Sequence, residues 1–228
     1  MKLTAVIPAH NEEAHLAACL AALARQQTTH ELKVIVVDNA STDRTAAVAN
    51  SFAGKLDLNV LSEPTPSRGR ARAAGFATAT TDIILSTDAD TVVPPDWAAK
   101  LVAALTAVPG AVAVTGTCRI TDCAPRTNRA FNWFQPNMMR LYRLIFGHYW
   151  LTGSNFAIYR NAYLKAGGFN PAAAQQEDIE FGFRLKRVGR IVFAPGICVT
   201  TTGNRFKHGL LRGLWHYVHD FFARVLPA

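Results

Sequence analysis

The first half of the chain alternates between strand-sized apolar runs and alanine-rich stretches, and few folds accept that order. The runs occupy residues 3–7, 33–37, 58–61 and 82–86, and helix-favouring stretches occupy 12–26, 42–53 and 70–79. Ala, Leu and Arg propagate a helix cheaply, whereas Val and Ile fit a pleated surface. Strands alternating with helices predict β-α-β units and a Rossmann-like, mostly parallel central sheet flanked by helices. The runs "TAVIP", "KVIVV" and "DIILS" are too short to cross a bilayer, which takes roughly 18 consecutive apolar residues. At 228 residues, half of them hydrophobic, the chain is expected to form a single α/β domain over residues 1–228.

Ligands of such sheets sit beyond the carboxyl ends of the strands, so the polar residues after each run are the ones that matter. They read "PAHNEE" (8–13), "DNASTD" (38–43), "SEPTPSRG" (62–69) and "TDAD" (87–90). The last is the most telling: an apolar strand runs into Asp88 and Asp90 with one small residue between them. Two like charges at a buried strand end repel unless a cation or ligand shares them. A hard divalent cation bound to a diphosphate is one such partner.

The formal charge of +8 favours anionic company, and basic residues cluster in "RGRAR" (68–72) and "RLKRVGR" (184–190). No nucleic-acid recognition motif accompanies that charge, so nucleic acid is not an expected partner. No G-x-G-x-x-G follows the first strand, which disfavours a dinucleotide oxidoreductase. The four cysteines are scattered without ligand spacing and read as reduced thiols. The N-terminus carries no signal-peptide cleavage pattern, so a cytoplasmic site of action is expected.

Five segments, "VIPAHNEE" (6–13), "VVDNASTDRT" (36–45), "RGRARAAGFATATTDIILSTDAD" (68–90), "GSNFAIYR" (153–160) and "EDIEFGFRLKRVG" (177–189), occur in an order that resembles the family 2 glycosyltransferases. The resemblance implies the GT-A fold, with a nucleotide-binding half at 1–110 and an acceptor and catalytic half at 111–228. It puts Pro8, Asn11 and Glu12 at the nucleotide, although an acid in a first helical turn is also favoured by the helix dipole. Asp38 matches the first of the family's base-reading acidic pair. The second position is Asn39, which leaves base identity open because an amide both donates and accepts.

The same resemblance turns Arg72 toward the nucleotide, gives Asp88 and Ala89 to the donor's ribose or sugar, and makes Asp90 the direct ligand of Mg²⁺ or Mn²⁺. His208 is the candidate third metal ligand; Arg205 and Lys207 are candidates for the diphosphate. Gly153, Ser154 and Asn155 match a small-residue turn beside sugar and acceptor. Glu177 and Asp178 match the catalytic Glu-Asp motif, with Asp178 as the general base. The expected reaction is inverting, metal-dependent transfer of one sugar from a nucleoside-diphosphate donor to a glycan, lipid-linked or small-molecule acceptor. The chain lacks the Gln-x-x-Arg-Trp motif of processive relatives, which points to single-sugar transfer. A binding module that kept the fold and lost turnover is the alternative. The aromatic segment 131–150, and a closing segment with Trp215, Tyr217, Phe221 and Phe222 among basic residues, could rest on the inner face of an acidic membrane.

Overall fold

The structure, a computed structural model, describes residues 1–172, 177–206 and Trp215. Lys207, His208 and most of the closing aromatic segment lie outside the described residues. In chain order the elements are β1 (Lys2–Ala9), α1 (Leu16–Ala24), β2 (Glu31–Asn39), α2 (Thr45–Asn50), β3 (Asp57–Glu63), α3 (Arg68–Thr78), β4 (Ile83–Ser86) and β5 (Thr91–Val92). They continue with α4 (Trp97–Thr106), β6 (Ala111–Ile120), α5 (Pro125–Phe146), β7 (Phe156–Tyr159), α6 (Arg160–Lys165), α7 (Glu177–Leu185) and β8 (Arg190–Thr201).

The eight strands among the described residues join one sheet in the order β3-β2-β1-β4-β7-β6-β8-β5. The expected α/β architecture with helices on both faces is what forms. The first-half strands β3, β2, β1 and β4 pair in parallel, as the alternation predicts. The second half is mixed: β7 runs antiparallel to β4 and β6, β8 is parallel to β6, and β5 is antiparallel to β8.

Side chains alternate across the sheet with the two-residue period of a strand. Leu3, Ala5 and Ile7 of β1 pack with α1 and α4, while Val6 joins Ala71 and Phe76 of α3 and Phe181 of α7 on the other face. Gly75 makes the second packing tight, since a Cβ there would lie 2.4 Å from a Val6 methyl carbon. That close approach seats α3 against β1 and fixes where Arg72, one turn earlier, points.

The start of the first helix differs from the sequence expectation. Helix α1 starts at Leu16 rather than at residue 12, because residues 10–13 are committed to hydrogen bonds with the β2–α2 loop. The aromatic segment is mostly helical: α5 opens with Pro125 in its first turn and ends at Gly147, whose φ of 77° suits a left-handed cap. Pro136 lies inside that helix and removes one backbone donor, which hides the helix from a propensity reading.

Candidate active site

The loops after β1 and β2 are stapled together. The Asn11 amide donates to Ser41 Oγ at 3.0 Å, and Asn11 Oδ1 accepts from the Thr42 amide at 2.8 Å. The Glu12 amide donates to Thr45 Oγ1 at 2.8 Å, and His10 Nδ1 donates to Asn39 O at 2.6 Å. Asn11 and Ala40 hold φ angles of 53° and 54°, a conformation an asparagine tolerates and an alanine adopts at a cost. Pro8, Asn11 and Glu12 therefore line a rigid edge at the carboxyl ends of β1 and β2.

The two residues after β2's apolar run do different things. Asp38 keeps a buried carboxylate oxygen, Oδ1, with no hydrogen-bond partner among the described residues. Asn39 is 4% exposed and donates to Glu63 O at 3.1 Å and Thr65 O at 2.7 Å, while its Oδ1 accepts from the Ser67 amide at 2.7 Å. Both its N–H groups are thus used to pin the β3–α3 loop. An orphaned buried acceptor is expensive unless a ligand supplies the donor, so Asp38 is the residue of this pair with capacity to spare.

Arg72 is the hub of the site. It is 1% exposed, and its Nη1 donates to Ser86 Oγ at 3.0 Å and to Gly153 O at 2.7 Å. Its Nη2 donates to Asp88 Oδ1 at 2.7 Å. Its Nε lies 3.1 Å from Glu177 Oε1, an ion pair by distance although the N–H is not aimed at that oxygen. Glu177 is buried at 1% exposure, so it meets protein rather than solvent. One guanidinium thus joins β4, the turn at Gly153 and the first turn of α7.

Gly153 is where Arg72 of α3 and Asp178 of α7 meet. Its amide donates to Asp178 Oδ2 at 3.0 Å, and its carbonyl accepts from Arg72 and from Ser86 Oγ at 2.8 Å. A Cβ there would lie 2.7 Å from Arg72 Nη1 and 2.9 Å from Asp178 Oδ2. Gly153→Ala is therefore expected to cost about 1–3 kcal/mol of stability by overpacking. Shifting the Asp178 carboxylate, the expected base, by about 1 Å should lower turnover about 10²-fold. Thermal melts and steady-state kinetics of this variant check both numbers.

Asp178 also accepts from the Ile179 amide at 2.9 Å. Burial, and then the negative charge of Glu177, push its carboxyl from the ordinary 3.8 up to about 6, with Arg72 opposing. The two companions of Gly153 in the turn are both buried. Ser154 is buried at 6% exposure. Asn155 is fully buried, with Oδ1 accepting from Trp97 Nε1 at 2.9 Å and Nδ2 donating to Thr117 O and Ile197 O, both at 2.8 Å. Its amide braces α4, β6 and β8 from inside the core.

The Asp-x-Asp turn sits at the sheet's carboxyl edge. Asp88 is partly exposed and Ala89 is buried among apolar side chains. Asp90 accepts from the hydroxyls of Thr201 at 3.2 Å and Thr91 at 3.4 Å, and from Thr202 Oγ1 on its other oxygen. The two C-terminal threonines belong to "TTTGNRFKHG", a stretch whose sequence drew attention to its basic residues instead. Arg205 lies exposed in the 3₁₀ turn Asn204–Phe206 that follows. The carboxylates feel one another: burial, with the charges of Asp90 and Asp88 adding, raises Glu12, and the Cys19 thiol is pushed up by burial and by the same three acids.

Asp88 is already paired with Arg72, whereas Asp90 faces threonine hydroxyls and has no cation partner among the described residues, and an all-oxygen site of that kind fits a hard divalent cation. Among the described residues no three His, Cys, Asp or Glu side chains form a closed metal-binding group. The fit is thus of the open kind, in which one or two carboxylates hold an ion whose other ligands are phosphate oxygens and water.

With this geometry in view, the comparisons with known proteins are specific. The profile described as glycosyl transferase family 2 matches residues 4–168. A probable glycosyltransferase of Bacillus subtilis, YdaM, is 30% identical over 210 residues, covering 85% of this chain and 49% of its own length. Among solved structures, Staphylococcus aureus TarS in complex with UDP superposes with a TM-score of 0.72 at 19% identity, covering 89% of this chain and 60% of that one. The mannosyltransferase PcManGT of Pyrobaculum calidifontis, solved with GDP-Man and Mn²⁺, gives 0.70 at 23% identity, covering 96% and 64%. The chain spans about half the length of the curated relative it matches, and the structural likeness carries the GT-A fold. On the match across residues 4–168, the chain belongs to glycosyl transferase family 2.

Proposed function

We propose that the chain transfers a single sugar from a nucleoside-diphosphate donor to an acceptor hydroxyl, with inversion at the anomeric carbon. The observation that carries this reading is the meeting at Gly153 of a carboxylate raised to about 6 with the arginine that holds Asp88. In this reading the half at 1–110 binds the donor and the half at 111–228 brings the base. Asp38 Oδ1 accepts an N–H from the base edge, and the rigid edge of Pro8, Asn11 and Glu12 frames the nucleoside. Asn39 holds the loop that shapes that pocket.

Asp178 takes the proton of the acceptor hydroxyl as its oxygen attacks the anomeric carbon, and the nucleoside diphosphate leaves from the opposite face. A base whose pKa lies near the working pH is both ionised and able to accept that proton. Gly153 leaves room for Arg72 and Asp178 to close on the turn, and Arg72 and Glu177 act as positioning residues that keep Asp88 and Asp178 in register. Asp90, with Asp88 beside it, is the candidate holder of Mg²⁺ or Mn²⁺; when bound, the ion neutralises charge developing on the diphosphate. The GDP-Man and Mn²⁺ bound to the Pyrobaculum mannosyltransferase and the UDP bound to TarS support this donor class. Four free cysteines suit the reducing cytoplasm, where we place the reaction.

A thermal-shift panel of UDP, GDP, dTDP and CDP, each with and without Mn²⁺, tests the donor reading. A diphosphate at a hundredfold excess over Kd should add about 2.7 kcal/mol, or about 5–10 °C at this chain length. Asp90→Ala should remove the Mn²⁺-dependent part of that shift. Identical melting curves across all eight mixtures would sink the donor assignment.

A further inference from the structure

Helix α5 shows two unlike faces. Inward, Phe131, Gln135, Met139 and Tyr142 are buried; Met139 Sδ lies 3.8 Å from Thr152 Oγ1, just before Gly153, and the charge of Asp178 adds to the burial that raises the Tyr142 hydroxyl. Outward, Trp133 is 70% exposed, Leu141 49%, Leu144 82% and Ile145 65%. Spacings of eight and eleven residues put Trp133, Leu141 and Leu144 on one side of the helix. Arg126, Arg129, Arg140 and Arg143 are exposed along the same helix, which contains no Asp or Glu. Arg140 lies against the Phe193 ring at 5.8 Å and Arg143 against Tyr149 at 5.2 Å.

An exposed aliphatic and tryptophan stripe whose only charged companions on the helix are arginines is the composition of a helix that lies in a lipid interface. Its length suits that posture and not a crossing, since no described helix is long and apolar enough to span a membrane. The charge also selects among occupants. Pairing this face with a second copy would bring arginine rows of two +8 chains together, which like-charge repulsion opposes. Anionic headgroups complement it.

We propose that α5 docks the chain on an anionic phospholipid surface, lying in the interface plane with Trp133, Leu141, Leu144 and Ile145 toward the acyl chains. This inference goes beyond the transferase reading and holds independently of it. If both hold, Asp178 works on the inner side of the helix that meets the membrane.

The test is co-sedimentation of the full chain with vesicles of phosphatidylcholine alone or mixed with phosphatidylglycerol, at low and high salt. Binding to the mixed vesicles alone, weakened by salt, is expected. Arg126→Gln with Arg129→Gln should weaken it by about fivefold for each arginine removed, and Leu144→Ser with Ile145→Ser should also release the chain. These positions are exposed, so melting temperatures should stay unchanged and metal-dependent nucleotide shifts should persist. No binding to the mixed vesicles, or binding indifferent to both pairs of substitutions, overturns the proposal. A concentration-dependent dimer abolished by the Leu144 and Ile145 pair also overturns it, by assigning the face to a second copy.

Discussion

Asp178→Asn is expected to lower turnover by about 10²–10⁴-fold while leaving nucleoside-diphosphate affinity unchanged. The amide oxygen of asparagine can still accept from the Gly153 amide, so the turn keeps its anchor. What is lost is the carboxylate proposed to take the hydroxyl proton. The pH profile supplies a second readout. With Asp178 raised to about 6, turnover in the wild-type chain should fall as pH drops through that value, because the base becomes protonated. Stability should move the other way. Between the ordinary 3.8 and about 6 the folded chain holds a proton that the unfolded chain releases, so this group destabilises the fold as pH rises through that window. Asp178→Asn should therefore be neutral or stabilising at pH 7, since it removes a buried charge beside Glu177. Transfer at wild-type rates in the variant would take Asp178 out of the base role.

Arg72→Met is expected to destabilise the fold by about 3–5 kcal/mol, the cost of removing one partner from a buried ion pair. Glu177 would be left buried without its cation, and Asp88, Ser86 and Gly153 O would each lose a donor. Arg72→Lys should recover only part of the loss, since one ammonium cannot reach four groups held by a planar fork. Combining Arg72→Met with Glu177→Gln separates the effects. If the stranded carboxylate is the main cost, the double variant should be more stable than Arg72→Met alone, while turnover stays low because Asp88 and Asp178 are no longer held in register. Urea unfolding gives the stabilities, and a Tm unchanged by Arg72→Met would contradict the hub assignment.

The fold was legible in the sequence where its cause is local. The apolar runs at 3–7, 33–37 and 58–61 became β1, β2 and β3, in parallel pairing, because β-branched residues and intervening alanine-rich helices leave that arrangement as the economical one. The edges were less legible. Residues 10–13 carry helix-compatible acids, yet their backbone groups bond to Ser41, Asp43 and Thr45, partners set by another loop. Helix α5 was obscured by Pro136 and by aromatic residues that suit strand, core or interface equally well.

The candidate site divides the same way. Asp88 and Asp90 stand out because two carboxylates after an apolar strand need a local explanation, whereas Asp178 is picked out by its match to the family's Glu-Asp motif, since an acid at a helix start is common for dipole reasons alone. What each polar residue does was decided by tertiary contact. Asn39 and Asn155 have the same side chain as Asn11, but the fold buries their amides against backbone carbonyls of distant segments. Thr201 and Thr202 became Asp90's partners because β8 returns beside β5, a pairing no neighbouring residue encodes. Arg72 and Gly153 lie 81 residues apart and meet at 2.7 Å. The sequence by itself determined the alternating strands and helices of the first half and that acids follow the strand ends, because periodicity and propensity act over a few neighbouring residues. Only the tertiary structure decided which polar groups brace the scaffold and which keep capacity for a ligand, because burial and hydrogen-bond satisfaction depend on whatever the rest of the chain brings alongside.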